Sequence, residues 1–166
     1  NFEQRSNSNN SNCFFYVIAC DTGTTTVRIT PSANTIGGWV ANSSYLVNLT
    51  QGQIYNVMGT VTGNNGVDLT GSKIESIASA NGGCKKIAVF SGSGKLSIKC
   101  PNTGAGATSD NYMVQDFPKA AWGKKYLTIP TLVYTNNYFR VCVSNPATVV
   151  RLNGTILSGL INNFYY

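Results

Sequence analysis

Cys13-Phe14-Phe15-Tyr16-Val17-Ile18-Ala19-Cys20, then Asp21-Thr22-Gly23, then Thr24-Thr25-Thr26-Val27-Arg28-Ile29 is the stretch that decides the fold class. The first eight residues are a continuous apolar run of strand length, the pattern expected of a central strand covered on both faces. After the turn, Thr25, Val27 and Ile29 alternate with Thr24, Thr26 and Arg28, so one face is dry and the other wet. Asp21-Thr22-Gly23 between them reads as a strand-to-strand turn.

Outward from this pair the same grammar repeats. Strands are predicted near 44–49, 53–60, 86–90, 95–100, 126–134, 138–143, 147–152 and 155–161. Between them stand Pro31, Gln51-Gly52, Gly63-Asn64-Asn65-Gly66, Asn81-Gly82-Gly83, Asn136-Asn137 and Asn145-Pro146. Helical periodicity is nearly absent. Short, evenly spaced strands predict an all-β, antiparallel, sandwich-like fold of one or two packed sheet units with little or no helix. At 166 residues, residues 1–166 are expected to form a single β-rich module of a longer extracellular protein.

Two hairpins can be placed in register. Asn153-Gly154 between Arg151-Leu152 and Thr155-Ile156 calls for a type I′ turn, which needs positive φ at both central residues. Ser91-Gly92-Ser93-Gly94 is expected to be a four-residue loop, setting Val89 against Leu96 and Ile87 against Ile98. The segments 6–12 and 101–110 read as loops.

Charged residues make up 11% of the chain, against about a quarter in an average protein. Asn (20), Ser (15) and Thr (17) take their place and solvate the surface by hydrogen bonding. That composition suits surface layers, fibres and adhesins. The net charge of +6 is scattered, with the closest runs at Lys85-Lys86 and Lys124-Lys125. A nucleic-acid protein would line its cations along one element, so no nucleic-acid partner is expected. No run of 18 apolar residues exists to span a membrane as a helix.

Five cysteines, Cys13, Cys20, Cys84, Cys100 and Cys142, occur without a single histidine. No C-x-x-C pair exists, so disulfides or buried thiols are expected rather than zinc or redox sites, and one thiol is always left over. Cys13 and Cys20, about 23 Å apart on one extended strand, cannot pair with each other. Cys142 is expected to lean outward with Arg140 while Phe139, Val141 and Val143 face inward, making it a candidate for a long-range or intermolecular bond.

No catalytic, cofactor or metal site is expected. Asp21-Thr22-Gly23 matches the aspartic-protease triplet but reads as a turn in which Asp caps its own backbone. Ser91-Gly92-Ser93-Gly94-Lys95 lacks the earlier glycine and the Ser or Thr after lysine that a phosphate loop requires. The six carboxylates, Glu3, Asp21, Asp68, Glu75, Asp110 and Asp116, are never closer than six residues, and no D-x-D calcium pattern occurs. Sequons stand at Asn9, Asn42, Asn48 and Asn153, about as many as composition alone would give. Asn42, Asn48 and Asn153 are the candidate glycosylation sites.

From the middle of the chain an ordered series emerges: Asp68-Leu69-Thr70-Gly71-Ser72-Lys73-Ile74, Ile87-Ala88-Val89-Phe90-Ser91-Gly92, and Val114-Gln115-Asp116-Phe117-Pro118. It continues with Trp122-Gly123-Lys124-Lys125-Tyr126, Thr128-Ile129-Pro130, Tyr138-Phe139-Arg140-Val141 and Val149-Val150-Arg151-Leu152-Asn153-Gly154. This series resembles the N-terminal domain of IgGFc-binding proteins. The resemblance implies a secreted β-rich domain of mucus, cell-surface or adhesion proteins, with a span longer than this chain. It transfers no Fc-binding residue.

The expected function is therefore a non-enzymatic extracellular adhesion or matrix module that recognises a protein or glycan. Trp122 and Gly123 are expected to anchor a turn into a strand, as Asn153 and Gly154 anchor a hairpin. A subunit of a self-assembling fibre or sheath is the alternative, a homo-oligomer adding strands through Ile161, Phe164, Tyr165 and Tyr166. A glycan-active enzyme ranks last.

Overall fold

A computed structural model describes the backbone of residues 3–4 and residues 11–63, 65–78, 82–97, 110–129 and 139–160. The chain divides into two compact units, Asn1–Asp116 and Phe117–Tyr166. It is nearly all β, as the alternation predicts; the one helical element described is a 3₁₀ turn at Lys119–Ala121.

In the first unit the strands are β1 (Glu3–Gln4), β2 (Cys13–Ala19), β3 (Thr24–Thr30), β4 (Tyr45–Thr50), β5 (Ile54–Met58), β6 (Val61–Thr62), β7 (Asn65–Gly66), β8 (Lys73–Ile77), β9 (Ile87–Ser97) and β10 (Asp110–Gln115). One antiparallel sheet runs β5-β2-β9, with β1 and β10 also paired to β9. A second runs β4-β3-β8. Phe15, Val17 and Ala19 of β2 and Val57 of β5 meet Val27 and Ile29 of β3 and Leu49 of β4, and Leu69 from the turn before β8 joins them. Apart from Ala19, each such side chain removed from water contributes about 1.5–3 kcal/mol of transfer free energy. This cluster is what holds the two sheets face to face.

The β3 alternation is realised: Thr25, Val27 and Ile29 are buried and Thr24 and Arg28 are exposed. β2 differs from its reading. It is central by pairing, lying between β5 and β9, but only its Phe15, Val17, Ala19 face is fully dry. Its other face is apolar for a different reason. Phe14, Tyr16 and the cross-strand Phe90 stack as a partly exposed ladder, with ring centroids 6.3 Å and 5.2 Å apart.

The largest departure is at Ser91-Gly92-Ser93-Gly94. The sequence predicts a hairpin loop here, but β9 runs unbroken for 11 residues through it. β2 pairs with Ile87–Ser93 and β10 with 90–96. A glycine is required at position 92 because two neighbours crowd the middle of the strand. A methyl group added at Gly92 would overlap the Tyr112 carbonyl oxygen, and it would lie 2.9 Å from Phe14 Cζ and 3.1 Å from Met113 Cα. The Phe14 ring, directly across from Gly92, fills the space a side chain would occupy. Ser93 is 1% exposed, in the interior rather than at a loop tip.

Thr25 carries an unsatisfied cost. Its hydroxyl is buried between the sheets and has no hydrogen-bond partner among the described residues. Thr25→Val keeps the shape and removes the orphaned group. It is expected to stabilise the first unit by about 1–2 kcal/mol in urea unfolding.

The second unit begins with the 3₁₀ turn and ends its described part in a hairpin of β11 (Arg151–Leu152) and β12 (Thr155–Ile156). Asn153 (φ 49°) and Gly154 (φ 86°) supply the positive φ values the Asn-Gly reading demands. The strands are shorter than predicted. Residues 126–129 and 147–150 are irregular, and 139–143 hold a single bridge residue, Cys142. Val143 is buried, but Phe139 is exposed instead of facing inward. The predicted strand residues 130–134 and 138 lie outside the described set. Among the described residues no helix is long and apolar enough to cross a membrane.

Candidate functional site

Apart from the Asn42 sequon, the sequence signals nothing between Pro31 and Ser44, yet this loop builds a concavity on the described surface. Its fold is fixed by side chains bonding to backbone. Thr35 N–H donates to the Trp39 carbonyl (2.9 Å), Gly38 N–H to the Thr35 carbonyl (3.1 Å), and Trp39 N–H to Thr35 Oγ1 (3.0 Å). Asn34 Oδ1 accepts from Ala41 N–H (2.9 Å), and the Tyr45 hydroxyl accepts from Val40 N–H (2.8 Å). The loop is clipped to the sheet by Ile36 N–H donating to the Met58 carbonyl (3.0 Å) and by a bridge between Thr35 and Gly59.

Between this loop and β5 lies a groove of about 260 Å³ lined by Thr35, Ile36, Trp39, Tyr55, Asn56 and Met58. Its back wall is a three-ring stack. Trp39 lies 4.4 Å from Tyr45 at 3° and 5.5 Å from Tyr55 at 15°. Stacked rings hold one another in place and give a rigid apolar surface at little entropic cost. Ile36 stands 60% exposed at the rim, and no charged residue lines the groove. This arrangement can bind; it presents no acid–base or nucleophilic chemistry.

The described carboxylates are each engaged locally. Asp21 Oδ2 accepts from Lys86 N–H (2.7 Å), so it ties the β2–β3 turn to the approach of β9 rather than capping its own backbone. Lys85 Nζ donates to the Thr22 carbonyl (2.6 Å) in the same turn. Asp68 caps Thr70 N–H (2.9 Å), Asp110 caps Asn111 N–H (2.8 Å), and Glu75 lies 4.0 Å from the Arg28 guanidinium, an exposed pair worth little. Asp116 accepts from the Ser91 hydroxyl (3.0 Å). Desolvation raises its carboxyl above the ordinary value, and the Ser91 bond lowers it in part. Among the described residues no three His, Cys, Asp or Glu side chains converge on a point.

The other sequence candidates are dispersed. Cys13 opens β2 half-buried, while Cys20, Cys84 and Cys142 are exposed, and no disulfide joins the described cysteines. Cys100 lies outside the described residues, as do Asn9 and the assembly strand Ile161, Phe164, Tyr165 and Tyr166. Asn42 sits at positive φ (63°) in an exposed turn, and Asn48 accepts from the Thr26 hydroxyl across β3–β4 (2.8 Å). Asn153 is exposed at its hairpin tip. Trp122 is 42% exposed, with its indole N–H on the Phe117 carbonyl (3.2 Å), and Gly123 N–H donates to the Tyr126 hydroxyl (2.7 Å). The pair anchors a local turn, not a core.

A family model described as IgGFc binding protein matches residues 1–162. The chain belongs to that family. No curated protein and no solved structure matches it.

Proposed function

We propose that this member of the IgGFc-binding protein family is a non-enzymatic extracellular module that recognises a protein partner through the groove beside Trp39. The observation that supports it best is that groove: prebuilt by hydrogen bonds, apolar, uncharged and backed by stacked rings. Such surfaces gain affinity because little must be ordered on binding. The family description names the Fc part of immunoglobulin G. That ligand is not carried over, since no residue here is matched to it. An extracellular setting agrees with the family and with a surface solvated by Asn, Ser and Thr.

Probing arrays of extracellular proteins and glycans with the purified chain tests this. A protein ligand is expected whose binding falls at least about tenfold in Ile36→Lys, which places a charge at the exposed rim without touching the core. Binding only to glycans, or a protein ligand indifferent to Ile36→Lys, contradicts the proposal.

A further inference from the structure

Sheet edges carry unpaired backbone groups, and among the described residues β10 is an open one. The Asp116 N–H donates to the Val89 carbonyl (2.9 Å), which fixes the phase of the β9–β10 ladder. Residues of the same parity, Tyr112 and Val114, turn their backbone groups toward Ser93 and Ser91. Met113 and Gln115 therefore turn theirs outward, and among the described residues no strand pairs with that side. All six residues of β10 are exposed, including three successive apolar or aromatic ones, Tyr112, Met113 and Val114. Two other edges are blunted: β8 carries Lys73 and Glu75, and β5 is clipped at Met58 by Ile36.

Charge states what the edge accepts. Between Asn111 and Gln115 there is none, but an acid stands at each end, Asp110 and Asp116, six residues apart and both exposed. We propose that the outer edge of β10 receives an extended strand of a partner protein bearing Lys or Arg at two positions six residues apart, with an uncharged apolar middle. The outward N–H and C=O groups of Met113 and Gln115 would hold the partner's backbone, and the acids would fix its register. A second copy of the chain fits worse. Paired with itself over its whole length, β10 sets Met113 opposite Met113, and Asp110 then faces Asp116 of the other copy at both ends; the register with Met113 opposite Gln115 avoids that repulsion but overlaps only residues 112–116. This edge is separate from the Trp39 groove.

The test uses two labelled peptides, Lys-Thr-Val-Thr-Val-Thr-Lys and the same strand with Glu at both ends, with fluorescence anisotropy at about 0.15 M salt, where distant charges are screened. The Lys peptide is expected to bind roughly tenfold more tightly than the Glu peptide. In the chain with both Asp110→Asn and Asp116→Asn, the two peptides should bind within about twofold of each other. Gln115→Pro removes an outward N–H while leaving the β9 ladder, and it should weaken both peptides about tenfold. N-methylation of the Lys peptide at alternate residues tests the same bonds without altering the protein. Ile36→Lys should leave peptide binding unchanged, so this proposal and the groove fail separately. Equal binding of the two peptides, no binding up to about 1 mM, indifference to both Gln115→Pro and N-methylation, or a dimer that Gln115→Pro dissolves overturns it.

Discussion

Gly92→Val is expected to lower the unfolding free energy of the first unit by about 3 kcal/mol or more, while Gly94→Ala leaves it nearly unchanged. The added carbons at Gly92 run into the Tyr112 carbonyl and the Met113 backbone, which belong to a paired strand, and into the Phe14 ring. Backbone of a hydrogen-bonded neighbour yields only if the β9–β10 ladder shifts. The Phe14 ring also gives way poorly, because it is stacked on Tyr16. A methyl at Gly94 meets nothing within 4 Å. Urea unfolding of both variants reads the contrast directly. A loop at Ser91–Gly94 would tolerate both substitutions, so equal and small effects contradict the strand.

Ile29→Ala should cost about 2–5 kcal/mol in the same measurement. Ile29 is 0% exposed and sits on β3, the middle strand of its sheet, facing the β2 side chains. Truncation loses transfer free energy and leaves a cavity that strands on both flanks keep from collapsing. Leu46→Ala on β4 is the control. Leu46 is 65% exposed, so its truncation should change stability by less than about 0.5 kcal/mol. Equal costs at both positions would mean that the two sheets do not close over Ile29.

What was legible in the sequence follows from how far each signal travels along the chain. β3 was read residue by residue because one-sided burial imprints a period of two on the sequence itself. Asn153-Gly154 was read because its turn demands a rare backbone conformation that few residues supply. β2 was read as a strand, but its outer aromatic ladder mimics burial on both faces. Ser91-Gly92-Ser93-Gly94 was misread because a flexible loop and a strand crowded by a ring and a neighbouring backbone select the same small residues. Only the position of Phe14, 78 residues earlier, distinguishes them.

The groove was illegible for a related reason. Trp39 follows no periodicity, and its place depends on Asn34, Thr35 and Tyr45 bonding to backbone within an irregular loop. The Gly37-Gly38-Trp39 triplet, an indole directly after two glycines and outside any strand pattern, is the available signal. β10 escaped detection because every residue of Asp110–Gln115 is exposed, which erases alternation.

The arrangement depends on β9 serving both neighbours at once, β2 on one side and β10 on the other. Amide hydrogen exchange at Ser91, Gly92, Ser93 and Gly94, resolved by NMR, tests this most directly. All four amides are expected to exchange as slowly as Val17 and Val27, since each lies in a ladder or, for Gly94, donates to the Asn12 carbonyl at 3.2 Å. Exchange at the rate of an open loop would separate β2 from β10 and contradict the fold, together with the binding edge drawn from it.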